Sequence, residues 1–202
     1  LHAALIDQGA KAGTRAELFD AYERAVLDGE SLDAGRFESE LGTKRLKEYR
    51  RLRRKLAGHG AVTVTRAATA DAVLTAMSEF LTLEAAGWKG RRGTAAALAP
   101  ETRRMFEEIA TGLGASGQMR VDALRVDGAP AAMVVSCGVG NRWWLWKISF
   151  DEAFARYSPG VLTVLDVSEL AVRNCDYYDS CALPGIPMIE RAWRQRRPYA
   201  DT

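Results

Sequence analysis

The chain has 202 residues, of which 48% are hydrophobic and 27% are charged, and a formal net charge of +2. This length allows one substantial buried core, and the charge is too small to require a nucleic acid or a membrane surface as the partner. No apolar stretch reaches the roughly 20 residues that a membrane-spanning helix needs, and no signal-peptide pattern opens the chain. The composition therefore favours a cytoplasmic protein.

The cysteines and the chain ends each support one expectation. Cys137, Cys175 and Cys181 form no CxxC pair, and the chain has only two histidines that could complete a zinc site. Their odd number and irregular spacing favour reduced thiols and a protein without a bound metal. Because the sequence begins without an initiator methionine and stops without an obvious end, we expect a piece of a longer protein.

The first predicted elements are two helices. Thr14 to Leu27 has helix propensity, with Thr14 as the N-cap and Glu17 three positions later in a capping box. Lys44 to Lys55 reads KRLKEYRRLRRK, with eight basic residues and one acidic residue. Apolar side chains recur there every three or four positions and form one stripe of an amphipathic helix: Leu46, Tyr49, Leu52 and Leu56.

The next stretch changes from a strand pattern to helical patterns. Ala61 to Arg66 alternates and is rich in β-branched residues, which predicts a strand. Ala70 to Ala86 and Pro100 to Leu113 predict two amphipathic helices, the second with its proline near the first turn.

A β meander is predicted after these helices. Met119 to Val126 and Ala131 to Val139 are joined by Asp127-Gly128, a strong signal for a two-residue hairpin turn. Arg142 to Phe150 reads RWWLWKISF and is the third strand. Strict alternation along it places four residues on one face: Trp143, Leu145, Lys147 and Ser149.

The last predicted elements surround a buried helix. Gly160 to Asn174 is apolar nearly all round, Tyr177 to Ala182 predicts a short strand, and Met188 to Gln195 predicts a final helix. A strand, a crossover helix and a second strand imply a right-handed parallel connection. The predicted fold class is therefore α/β (α+β), with a mixed, mainly antiparallel sheet flanked by helices and strands splayed around the buried crossover helix.

Four segments resemble, in pattern and order, the acetyltransferase domains of the GNAT superfamily: KRLKEYRRLRRKLAGHGAV, FLTLEAAGWKGRRGTA, WLWKISFDEAFARYSPGVL and YDSCALPGIPMIERAWRQRR. They are most similar to the CelD-type branch, named for a cellulose-biosynthesis protein and related to the Fem-type transferases. The resemblance implies a GNAT-like domain over residues 44–202. It also implies that residues 1–43 are linker helices or the tail of a preceding lobe. Acetyl-CoA is the implied acyl donor, an amine the acceptor, and no metal is needed.

The resemblance further implies a cofactor site at the start of the buried helix. Many members of the superfamily bind the CoA pyrophosphate with backbone amides at a helix N-terminus, where the helix dipole attracts anions. The matching junction here makes Arg156, Ser158, Gly160 and Val161 the candidate CoA-binding residues. It departs from the family pattern, since it has one glycine rather than several and Pro159 lacks an amide hydrogen.

Two residues are the first candidates for catalysis. Acyl transfer to an amine needs a base for the amine, a donor for the oxyanion and an acid for the leaving thiolate. Glu84 continues the apolar stripe of its helix, and burial would raise its pKa, as a general base needs. Lys147 lies in the middle of a strand and would bind a carbonyl or anionic oxygen. The structural alternatives are that Glu84 pairs with Lys89 and that Lys147 reaches solvent along its stem.

Five further residues complete the candidate set. Tyr157 is a candidate general acid, or else a residue packed against the sheet. Asp179, an alternative base, and Ser180, a substrate contact, end a strand, and ligands collect at the carboxyl ends of strands around a splay. Trp88 and Lys89, in the turn GWKGRRG, are candidate substrate-binding residues, or else part of a surface loop.

Three functions stay open on the sequence alone. The first is N-acyl transfer from acetyl-CoA to a small-molecule amine or to a glycan precursor in envelope polysaccharide metabolism. The second is Fem-like transfer from an aminoacyl-tRNA. The basic helix is the reason for it, although that helix would equally suit the 3′-phosphate of CoA or a solvated surface. The third is a non-catalytic GNAT-like lobe that binds polysaccharide machinery or pairs with a catalytic lobe.

Overall fold

The computed structural model describes Lys11 and residues 20–201. The strands are β1 (Asp20–Asp28), β2 (Val62–Ala67), β3 (Met119–Val126), β4 (Ala129–Val139), β5 (Arg142–Phe150), β6 (Tyr177–Asp179) and β7 (Gln195–Asp201). The α-helices among residues 20–201 are α1 (Ala34–Leu41), α2 (Thr43–Ala57), α3 (Ala70–Ala86), α4 (Trp88–Arg91), α5 (Pro100–Ala115), α6 (Pro159–Arg173) and α7 (Pro187–Ala192). Two 3₁₀ helices lie in the same range: Ala96–Leu98 and Glu152–Tyr157.

The strands form one mixed sheet of seven, in the order β2-β3-β4-β5-β6-β1-β7. All neighbours are antiparallel except β5 and β6, which are parallel and connected through α6. The predicted mixed, mainly antiparallel sheet with a crossover helix is therefore confirmed. The β3–β4 hairpin turns at Asp127 and Gly128, whose φ angles of 49° and 82° are those that the Asp-Gly signal predicts.

Helices cover the two faces of the sheet unequally. On one face α6 is buried along most of its length and packs, with α1 and α7, against residues of β1, β4, β5 and β6. On the other face α3 and α5 pack against β3, β4 and β5. Within the part of the chain that the structure describes, no helix is long and apolar enough to cross a membrane.

The parallel strands β5 and β6 diverge soon after they meet. They pair over three positions only, ending at Trp144 and Asp179. Among residues 20–201, no strand pairs with this edge of β5 beyond Trp144, as far as Phe150. The predicted splay is present, and it opens a wedge beside the first turn of α6.

A β-bulge changes the orientation of residues in β5. Lys147 pairs with Val135 whereas Leu145 pairs with Ser136, so the strand carries one extra residue at Trp146. Trp143 and Leu145 pack under α6, but Lys147 points to the opposite face, toward α3. The prediction that Lys147 shares a face with Trp143 and Leu145 is therefore wrong, because strict alternation does not continue through a bulge.

The two ends of the described chain also differ from the prediction. The predicted helix Thr14–Leu27 is wrong over its second half, because residues 20–28 form strand β1. Residues 14–19 of that prediction lie outside the described residues. The predicted helix from Met188 is shorter, and β7 follows it. The predicted strand from Tyr177 stops at Asp179. β1 lies between β6 and β7, so its hydrogen-bond partners lie about 150 positions away or more in the sequence. Local propensity does not reflect such distant partners.

Candidate active site

The wedge between β5 and β6 contains a groove made of two adjoining cavities of about 180 and 160 Å³. Phe150 and Met188 line both cavities, so the free edge of β5 and the helix α7 form the shared wall. The larger cavity lies against the first turn of α6. The smaller one reaches the end of α3 and the start of α4.

The first turn of α6 presents two free backbone amides to the larger cavity. Within residues 20–201, the amides of Gly160 and Val161 have no hydrogen-bond acceptor, and the ladder of α6 begins with the amide of Leu162 bound to Ser158 O at 3.1 Å. Gly160 also packs closely, since a Cβ there would lie 2.9 Å from Met188 Sδ. Free amides at a helix N-terminus are an anion site, so this turn fits the CoA pyrophosphate.

The other two predicted cofactor residues contribute less. The amide of Ser158 donates to Ala155 O at 2.9 Å and is therefore not free to bind the pyrophosphate, contrary to the expectation. Ser158 still lines the cavity. Ser158 adopts a left-handed conformation (φ 52°), which lets the chain turn from the 3₁₀ helix into α6. Arg156 is exposed, with its guanidinium carbon 4.8 Å from the centre of the Tyr157 ring, and does not line the cavity.

Glu84 lies at the base of the smaller cavity and is paired with two lysines. Its carboxylate is 2.7 Å from Lys89 Nζ and 2.9 Å from Lys147 Nζ, and it accepts a hydrogen bond from the amide of Ala96 at 3.0 Å. Glu84 is only 1% exposed, so desolvation alone would raise its pKa. The donors outweigh desolvation, and the pKa of Glu84 is lowered. The expected rise is therefore wrong, and the site holds an ionised carboxylate between two ammonium groups.

The substrate-binding candidates of the GWKGRRG turn lie at the mouth of this cavity. Lys89 contributes its ammonium, and Trp88 is a largely exposed aromatic side chain. Glu152 holds the turn in place, because it accepts hydrogen bonds from the amide of Trp88 at 2.8 Å and from Arg91 Nη2 at 2.6 Å. Sequence candidates on α3, α4 and α6 thus meet along one groove, and Lys147 of β5 contacts this set through its ion pair with Glu84.

Five predicted residues do not line this groove: Lys147, Arg156, Tyr157, Asp179 and Ser180. Tyr157 is buried among Leu56, Leu124 and Leu162, and its hydroxyl lies 2.7 Å from His59 Nε2. Asp179 accepts hydrogen bonds from Arg24, from the amide of Cys181 and from the hydroxyl of Tyr199. Ser180 is buried beside it and its hydroxyl accepts from the amide of Ala182.

The sequence reasoning missed Met188, Arg191 and Phe150, which line the groove from α7 and β5. The sequence predicted a helix from Met188, but no local signal places that helix against Gly160. The described residues contain no group of three or more His, Cys, Asp or Glu side chains arranged to hold a metal ion.

A splayed mixed sheet with a free helix N-terminus in the wedge defines a GNAT-like domain. The family model for the Acetyltransferase (GNAT) domain matches residues 43–184, which is more than half of the chain. The chain therefore belongs to the GNAT acetyltransferase family. Its narrower assignment to the CelD-type branch stays a prediction.

Solved structures support the same fold. A conserved protein of unknown function from Bacteroides thetaiotaomicron VPI-5482 is 14% identical, with a TM-score of 0.55 over 95% of this chain and 68% of that chain. The C-terminal domain (DUF2156) of a putative lysylphosphatidylglycerol synthetase from Agrobacterium fabrum is 18% identical, with a TM-score of 0.53 over 89% of this chain and 57% of that one. At these identities the likeness concerns the fold alone. Among curated proteins no match was found.

Proposed function

We propose that the chain is an N-acyltransferase that moves an acetyl group from acetyl-CoA to an amine. The observation that carries this proposal is the groove in the β5–β6 wedge, with free amides of α6 at one end and a Lys-Glu-Lys cluster at the other. The acceptor is a small-molecule amine or a glycan precursor, and a role in envelope polysaccharide metabolism follows from the CelD-type resemblance.

The donor is bound along the start of α6. The amides of Gly160 and Val161 receive the pyrophosphate, and Arg191 lines the same cavity. The basic helix α2 lies alongside, since Tyr49 Oη is 3.5 Å from Arg191 O. Arg45 Nη1, on α2, is buried without a hydrogen-bond partner in the described chain. Arg45 and Arg191 therefore supply the positive charge that the 3′-phosphate of CoA needs.

The reaction takes place where the groove reaches the free edge of β5. The amine nitrogen attacks the thioester carbonyl, a C–N bond forms, the C–S bond breaks, and CoA leaves as the thiolate. Lys89 lines the groove and stabilises the oxyanion, while Lys147 positions the Glu84 carboxylate that both ammonium groups share. Glu84 receives the amine proton after attack, when the tetrahedral intermediate has made that proton acidic enough for a weak carboxylate base.

The second candidate is transfer from an aminoacyl-tRNA, which the exposed basic face of α2 favours. Its exposed basic residues are Lys44, Lys47, Arg50, Arg51, Arg54 and Lys55. Binding of the tRNA phosphate backbone to such a face weakens steeply as the salt concentration rises, because binding releases counterions. CoA presents far fewer phosphates than a tRNA, so its binding depends less steeply on salt.

Calorimetric titration with acetyl-CoA and with desulfo-CoA, at two salt concentrations, tests the proposal. We expect both to bind with a Kd on the order of micromolar. If a folded sample binds neither, the acetyl-CoA proposal is wrong. Salt-sensitive tRNA binding would then favour the aminoacyl-tRNA donor, and binding of neither ligand would favour a non-catalytic lobe.

A further inference from the structure

Within residues 20–201, no helix covers one face of the half of the sheet that β6, β1 and β7 form. The core beneath α3 and α5 is built from β3, β4 and β5, and in the described chain no residue of β6, β1 or β7 belongs to it. Ala25 and Leu27 of β1 pack toward α6. Alternation and register therefore place a different set on the uncovered side, here called the open face: Tyr22, Arg24, Arg142, Trp144, Tyr177, Asp179, Arg197 and Tyr199.

An inner cluster fixes the floor of the open face. Tyr22 and Tyr199 stack with ring centres 6.1 Å apart, and the Arg24 guanidinium lies 4.3 Å from the centre of the Tyr199 ring. Arg24 donates to Tyr22 Oη at 2.9 Å and to the Asp179 carboxylate at 3.3 Å. The charges of Arg24 and Asp179 compensate each other, so this cluster is close to neutral.

The outer residues of the open face are not compensated. Arg142 and Arg197 are both exposed, and their guanidinium carbons lie 5.2 and 5.7 Å from the centre of the Tyr177 ring. Neither forms an ion pair with a carboxylate among residues 20–201. Arg197 also donates a hydrogen bond to Tyr177 Oη at 3.4 Å. Planar guanidinium groups such as these two suit phosphate oxygens.

An aromatic surface adjoins these arginines on the side nearest the groove. Trp144 is 41% exposed and sits two positions from Arg142 on the same strand. It pairs with Asp179, at the point where β5 and β6 begin to splay. A ring stacked on Trp144 therefore lies at the entrance of the wedge, on the side of the sheet to which Lys147 also points.

We propose that the open face binds the acceptor through a phosphorylated, ring-bearing group, as in a nucleoside diphosphate derivative. Arg142 and Arg197 hold the phosphates and Trp144 stacks on the ring. The amine then enters the wedge from the face opposite α6. The inference rests on the proposed acyltransferase function, and it names the class of acceptor.

The test uses the whole chain and measures calorimetric Kd values for three probes: uridine diphosphate, inorganic pyrophosphate and desulfo-CoA. The double variant Arg142→Ala/Arg197→Ala should bind uridine diphosphate and pyrophosphate at least about tenfold more weakly than the parent chain. Trp144→Ala should raise the Kd for uridine diphosphate about tenfold and change the Kd for pyrophosphate by no more than about twofold. The matched control Arg103→Ala/Arg104→Ala removes the same charge from exposed positions of α5, which packs on β3, β4 and β5, and should change neither value.

The outcomes separate this inference from the proposed function. Unchanged desulfo-CoA binding in the double variant, with uridine diphosphate binding lost, supports the open face as a separate site. Loss of both ligands, direct competition between them, or equal binding of uridine diphosphate by the variant and the parent chain would overturn it. If the parent chain binds uridine diphosphate but not desulfo-CoA, the open face stands and the acetyl-CoA donor fails. Arginine-dependent binding of a single-stranded RNA in place of uridine diphosphate would also overturn the inference, in favour of an RNA partner.

Discussion

At the scale of single residues, Glu84 shows how hydrogen bonding decides what burial alone does not. A buried carboxylate without donors would be protonated near neutral pH, but Lys89, Lys147 and the amide of Ala96 keep this one ionised. The carboxylate in turn keeps two ammonium groups at fixed positions beside the groove. Glu84 is therefore both a structural residue and a proposed catalytic one.

Glu84→Gln should reduce both stability and turnover. The amide keeps the shape but leaves two lysines without their counter-charge, so we expect the free energy of unfolding to fall by roughly 1–3 kcal/mol. Turnover should fall by at least about tenfold at saturating acetyl-CoA. Glu107→Gln, which breaks the exposed pair with Arg103, is the control for stability. Full activity in a folded Glu84→Gln variant would remove Glu84 from the mechanism.

Asp166 makes the stability of the folded state depend on pH. Burial raises its pKa from 3.8 to about 6, although Arg53 beside it acts in the opposite direction. Because the folded pKa lies above the unfolded one, the folded state binds the proton more tightly. The stability from this group is thus complete below about pH 4 and is lost as the pH rises through about 6.

Asp166→Asn should remove the loss of stability that the parent chain shows as the pH rises through about 6. The difference in unfolding free energy between the variant and the parent chain should change by roughly 2–3 kcal/mol between pH 4 and pH 7, in favour of the variant at the higher pH. Denaturant unfolding across this range measures it. A constant difference at all pH values would show that the ion pair with Arg53 holds the pKa near its ordinary value.

At the scale of elements, the first turn of α6 combines a buried helix with an anion site. The buried apolar sides of α6 fix its axis against the sheet, and the axis directs the amides of Gly160 and Val161 into the wedge. Local sequence predicted this helix within one residue at each end. The bulge in β5 had no such signal, yet it turns Lys147 toward Glu84.

Val161→Pro should weaken CoA binding by about tenfold, because it removes one amide donor to the pyrophosphate. The amide of Val161 has no acceptor in the described chain, so α6 loses no helical hydrogen bond. Val161→Ala loses the side chain and keeps the amide. Thr102→Pro places a proline at the third residue of α5, the position that Val161 has in α6. Titration with desulfo-CoA should give a near-parent Kd for both controls, and an equal loss in all three variants would contradict the amide's role.

At the scale of the whole molecule, the sheet joins distant parts of the chain. β1 lies between β6 and β7, and Leu27 is buried in the core under α6. The predicted division into residues 1–43 and 44–202 stays a prediction, but β1 contributes to the sheet that holds the groove.

Leu27→Ala should therefore lower the free energy of unfolding of the whole chain by about 2–4 kcal/mol, in a single transition. Leu183→Ala, at an exposed leucine, should change it by less than about 0.5 kcal/mol. Denaturant unfolding followed by circular dichroism and by tryptophan fluorescence measures both variants. Equal stabilities, or a separate early transition for Leu27→Ala, would show that β1 is not part of the cooperative unit.

The sequence by itself determined the elements whose pattern is local: the helix Ala70–Ala86, the hairpin at Asp127-Gly128, and the buried helix that begins near Gly160. It also predicted six of the residues that line the groove, because their segments resemble a known family: Glu84, Trp88, Lys89, Ser158, Gly160 and Val161. Tertiary structure decided the pairing of Glu84 with two lysines, the bulge in β5, and the strand identity of β1. These depend on contacts between residues far apart in sequence, where packing and hydrogen bonding outweigh local propensity.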